Sequence, residues 1–65
     1  MAEETTTGAI IQRARQRKRL TQQEMADALG VNRGTVSTWE SGEHFPSRYA
    51  GAIEELLDIT IPVPA

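Results

Sequence analysis

Among residues able to do chemistry, the sequence offers one histidine, His44, and no cysteine. A lone imidazole has no second metal ligand, and no nucleophile–base pairing is visible around it. No catalytic residue, metal or cofactor is therefore assigned. Without cysteine, neither disulfides nor a cysteine-ligated zinc can staple so short a chain. What remains is the chemistry of charge and hydrogen bonding. Residues 13–19, RARQRKR, hold five of the seven basic residues, while acids gather at Glu3 and Glu4 and at Glu54, Glu55 and Asp58. The net charge of −2 conceals this polarity, and distribution bears more on partners than the sum does. Taken alone, the basic run is a solvated face that keeps a helix soluble.

A second feature is Thr35–Gly42, TVSTWESG. At 100° per residue, Val36, Trp39 and Glu40 share one side of a helix. Gly34, Ser37, Thr38 and Ser41 share the other. Surface helices ordinarily carry Lys and Glu on the outward side, so this slim, uncharged face suits a helix that enters something narrow.

The elements that would position these residues follow from capping signals and periodicity. Residues 1–6 are polar, small and acidic and read as a disordered tail. Thr7 is the expected N-cap of a first helix reaching about Lys18, with Ile10, Ile11 and Ala14 on its apolar side and Arg15 beside Ile11. Thr21-Gln22-Gln23-Glu24 is a capping box opening a second helix, whose inner face is Met25, Ala26 and Leu29 and whose end is Gly30. Asn32 then caps a third helix. After a loop over 41–46, Ser47 is the expected N-cap of a fourth helix to about Asp58, with Ile53, Leu56 and Leu57 as core. Pro62 and Pro64 forbid helix in the last residues. There Ile59, Ile61 and Val63 alternate with Thr60 and Pro62, which reads either as a short strand with an edge that could pair with a second copy or, equally, as a tail folded back on its own core.

With 65 residues the chain holds one domain, spanning 7–58, followed by an extended apolar tail over 59–65. No apolar run is long enough for a bilayer, and residues 1–8 have no secretory pattern. The expected address is the cytoplasm, at the nucleoid if the partner is DNA. Residues 22–41 form two short helices joined by a glycine turn, a helix-turn-helix. Ala26 is small where the helices touch, Gly30 makes the turn, and Val31, Val36 and Trp39 fill the space beneath. An ordinary helical hairpin with a glycine cap would share some of these features, but not all together.

Residues Arg15 to Gly42, RQRKRLTQQEMADALGVNRGTVSTWESG, resemble the Cro/CI-type, or XRE-like, helix-turn-helix family of phage repressors and bacterial transcriptional regulators. The resemblance runs from about Ile10 to Ser47. It implies an all-α fold, a lambda-repressor-like bundle of four or five helices, that binds double-stranded DNA at specific operators. The third helix would enter the major groove. Gln22 matches a family glutamine that binds a backbone phosphate, at a helix N-terminus suited to anions, with Gln23 beside it. Arg33, Gly34 and Thr38 stand where family members read bases, and Ser37 shares that face. Asn32 and Thr35 would lie near phosphates. Arg33 is the leading base reader, since guanidinium to guanine O6 and N7 is the commonest specific contact. Arg15 and Glu40 match a partly buried family ion pair and, with Ala26, Gly30, Val36 and Trp39, are structural.

Several residues depart from the family. Arg19 stands where glycine is frequent, so that turn should be strained or rearranged. Glu43 occupies a loop that is often basic, and Arg48, at the start of the fourth helix, would compensate. Gly34 gives up about 1 kcal/mol of helix propensity. A proline-containing tail replaces the family's last helix. The expected function is that of a phage or prophage repressor or Cro-like regulator, binding its operator as a homodimer formed in solution or only on DNA. The competing function is a protein-interaction module such as an antitoxin, which the acidic fourth helix and apolar tail would serve.

Overall fold

A computed structural model describes residues 6–61, which form four helices: α1 (Thr7–Arg17), α2 (Gln22–Leu29), α3 (Arg33–Ser41) and α4 (Ala50–Leu57). The chain is all-α among the described residues. α3 packs across both α1 and α2, and α4 packs on α1. Ile11, Ala14, Met25, Ala26, Val36, Trp39, Ile53, Leu57 and Ile61 form the core they enclose. Fully burying an Ile, Val or Met side chain contributes roughly 1.5–3 kcal/mol, so Ile11, Met25, Val36 and Ile53 dominate it. Trp39 adds a tilted aromatic contact with Tyr49, at 5.5 Å between centroids.

Helix starts depart from expectation at three places. The N-cap of α1 is Thr6, one residue earlier than Thr7, and its hydroxyl accepts from the Ala9 N–H at 3.1 Å. Thr6 thus belongs to the folded domain rather than to the tail, whose residues 1–5 lie outside the described set. Asn32 occupies the N-cap position of α3 without making a side-chain cap bond. Ser47 caps nothing: residues 47–49 form a turn, and α4 starts at Ala50 with Tyr49 as its N-cap. The turn arises because the Pro46 carbonyl accepts from the Tyr49 N–H at 3.1 Å, which consumes one turn of backbone before the helix begins. Only α2 opens as foreseen, with a complete Thr21/Glu24 capping box.

The helices end alike. Each is followed by a residue in the left-handed conformation, Arg19, Gly30, Gly42 and Asp58 in turn. At Gly30 the N–H bonds to the Asp27 carbonyl, while the Val31 N–H reaches the Ala26 carbonyl at 2.9 Å. This Schellman arrangement satisfies carbonyls that the helix end would leave free. At Asp58 the same reversal sends Ile59 and Ile61 back onto the core. The Ile61 N–H donates to the Glu54 carboxylate at 2.7 Å, and its side chain is buried. Ile59 and Ile61 therefore form no strand: the alternation that suggested one packs residues of this chain against its own core. Pro62, Val63 and Pro64 lie outside the described residues.

Candidate nucleic-acid interface

α3 has two faces of opposite character. Its inner face carries Val36 and Trp39, both buried, and Glu40, whose side chain is only 4% exposed. A carboxylate taken so far from water needs compensation, and it accepts three hydrogen bonds from two residues. Arg15 on α1 donates through Nε to Oε2 at 2.6 Å and through Nη2 to Oε1 at 3.2 Å. Gln22 at the start of α2 donates through Nε2 to Oε1 at 3.0 Å. The third Arg15 nitrogen, Nη1, donates to the Leu20 carbonyl at 2.7 Å. Arg15 and Glu40 thus tie α1, α2, α3 and the α1–α2 corner together, and no buried side-chain polar atom among the described residues lacks a partner.

A contact absent from the sequence analysis supports the same junction. Gly8 is buried in the first turn of α1, and a Cβ built there would stand 2.3 Å from the Glu40 carbonyl oxygen and 2.7 Å from that of Trp39. Only glycine lets α1 approach the backbone of α3 so closely. The available signal was position: Gly8, Ile11 and Arg15 lie on one stripe of α1, where an inward glycine implies a close neighbour.

The outer face of α3 is unengaged. Asn32, Arg33, Gly34 and Ser37 are exposed, and Thr35 and Thr38 are half-buried. Arg33 makes no hydrogen bond or ion pair among the described residues. A Cβ at Gly34 would meet nothing within 4 Å. Thr38 turns its hydroxyl back to the Thr35 carbonyl at 2.7 Å, and Ser41 does the same to Thr38 at 3.1 Å. With the Thr38 hydroxyl so occupied, its methyl group is what remains to meet an apolar partner.

The residues flanking α3 are placed less simply. Gln22 commits one of its two amide N–H groups to Glu40, and the backbone N–H groups of Gln22 and Gln23 have no intrahelical acceptor in the first turn. The side chain of Gln23 is bonded to Asp27 at 2.9 Å. Arg48 is exposed in the turn before α4 rather than on α4 itself. It lines, with Thr35, Trp39, Pro46 and Tyr49, a shallow cleft of about 270 Å³ beside α3. Arg17 and Lys18 border a different cleft, between α1 and α4, with Leu57 and Asp58. The basic run is therefore divided: Arg13 is exposed on α1, Arg15 lies in the buried pair, Arg17 and Lys18 lie toward α4, and Arg19 stands at the corner before α2. Among the described residues no group of acidic or histidine side chains could hold a metal, and no helix is long and apolar enough to cross a membrane.

A family model described as helix-turn-helix matches residues 11–63. Over 57 residues, 88% of this chain, the sequence is 39% identical to a protein of Methanocella arvoryzae provisionally named an HTH-type transcriptional regulatory protein. The chain spans 18% of that relative's length. No solved structure matches it. The matched span begins at Ile11 on α1 and takes in α2, the Gly30 turn, α3 and α4, and on that extent the chain belongs to the XRE-like helix-turn-helix family.

Proposed function

We propose that this domain is a sequence-specific, double-stranded DNA-binding transcriptional regulator of the phage or prophage repressor or Cro-like kind, with α3 inserted in the major groove. The observation that carries this reading is the contrast across α3. Its inner face is fixed to α1 and α2 through Glu40, while its outer face offers a guanidinium, Arg33, unpaired among the described residues and set among small side chains. A groove about 12 Å wide admits a helix whose outward groups are small. Arg33 reads a guanine, Thr38 meets a thymine methyl, and Gly34 and Ser37 lie against base edges. Asn32, Thr35, Arg48 and the N–H groups of Gln22 and Gln23 hold phosphates on either side, fixing register without reading sequence.

Each chain presents one α3, so reading an operator of two half-sites needs two copies, with recognition helices about 34 Å apart. The proposed assembly is a homodimer, formed in solution or on the operator, acting on DNA in the cytoplasm. Selection of bound duplexes from a random pool tests the function. A single enriched motif of two half-sites is expected. Absence of any enriched sequence would overturn the proposal and favour a protein-interaction module such as an antitoxin.

A further inference from the structure

The four left-handed residues that end the helices are not equivalent. Gly30 and Gly42 adopt positive φ without a side-chain clash. Asp58 belongs to the short polar residues that visit this region most readily. Arg19, at φ 60°, has neither excuse. A long β-carbon-bearing side chain is strained there, and no side-chain bond among the described residues offsets it. Arg19 is exposed and its side chain makes no hydrogen bond or ion pair among the described residues.

Its place beside the start of α2 separates it from the rest of the basic run, of which Arg13 is exposed along α1. Arg15 is consumed by Glu40 and the Leu20 carbonyl. Arg17 and Lys18 border the cleft toward α4. Arg19 sits at the corner between α1 and α2, next to Leu20, whose carbonyl is clamped by the same arginine that grips α3. The corner is therefore held in fixed relation to the recognition helix: its backbone is bonded at both ends, Arg19 N–H to the Gln16 carbonyl at 2.9 Å and Leu20 N–H to the Arg15 carbonyl at 3.1 Å. We infer that Arg19 is a further DNA-backbone contact, a cation held at this corner to neutralise a phosphate flanking the groove that α3 enters. This deepens the DNA-binding reading and rests on it.

The inference separates two quantities that a merely structural residue would move together. Arg19→Gly relieves the strained backbone and removes the charge; Arg19→Lys keeps the charge. Binding is measured to the duplex that the wild-type chain enriches from a random pool and to a scrambled duplex of the same length, over a range of salt. Arg19→Gly is expected to melt at a higher temperature than wild type yet bind both duplexes several-fold more weakly. Its slope of log affinity against log salt should be shallower by about 0.9, the value of one phosphate contact. Arg19→Lys is expected to keep the wild-type slope. An unchanged affinity or an unchanged slope in Arg19→Gly would overturn the inference. So would a loss confined to the selected duplex, which would make Arg19 a base reader. If the wild-type chain enriches no duplex, the DNA-binding reading fails first and this inference with it.

Discussion

The two faces of α3 divide the labour of the domain. On the inner face every polar group is matched: the Glu40 carboxylate alone receives three hydrogen bonds from two other helices. On the outer face Arg33 has no partner among the described residues, and Gly34 has open space where a Cβ would stand. Both faces fit into nine residues. The difference teaches that the position of an interaction surface can be stabilised from behind. The inner face is rigid because its groups are satisfied by other helices, and the outer face is available because its groups bond only within α3 or, among the described residues, to nothing. Substitutions on the inner face should therefore cost stability, and those on the outer face should change binding at little cost to the fold.

The largest effect is expected at the buried pair. Arg15→Ala or Glu40→Ala leaves the other charge uncompensated, at about 3–5 kcal/mol. A domain of this size has on the order of 3–10 kcal/mol in all, so either variant should lose a large fraction of its stability and melt well below wild type. Thermal melts of the single and double variants check this. Strong non-additivity is expected, because the second removal deletes a charge that the first had already orphaned.

Next is Gly8→Ala. Alanine would gain about 1 kcal/mol of helix propensity, but its Cβ would overlap the backbone carbonyl of Glu40. Main chain cannot rotate aside as a side chain can, and overpacking of this kind costs about 1–3 kcal/mol. The clash should win, with a lowered melting temperature. An unchanged or raised value would mean that α1 and α3 separate easily, and the inner face would not be rigid.

Gly34→Ala should act in the opposite direction. Nothing in the chain occupies the space and no unusual backbone angle requires glycine, so stability should rise by about 1 kcal/mol. The same variant should bind the selected duplex less tightly if α3 seats close to the bases. Equal affinity with increased stability would remove Gly34 from the interface. Smallest of all on stability is Arg33→Ala, expected within about 0.5 kcal/mol of wild type by melting.

How much of this was legible in the sequence depended on whether local or distant backbone carried the signal. The capping box at Thr21 and Glu24 and the Gly30 turn are local, and their residues state their own geometry. The Arg15–Glu40 pair was visible as two charges edging apolar stripes, together with the family resemblance. Gly8 was not assigned, because its role depends on the distance between α1 and two carbonyls more than thirty positions away. Ser47 has the chemistry of a helix cap, but the Pro46–Tyr49 turn takes precedence over that propensity. The alternation of Ile59 and Ile61 left a pairing strand and a fold-back onto the core equally open, and the fold-back is what forms, tied by Glu54.

The central claim, that the outer face of α3 reads bases, is tested most directly through Arg33. The wild-type chain and Arg33→Ala, shown by melting to be equally folded, are each assayed on the selected duplex and on its single-base-pair variants. The account predicts a loss of about 1–3 kcal/mol on the selected site, with discrimination relaxed at one base pair per half-site and retained elsewhere. An equal loss on every duplex, or no loss at all, would contradict it.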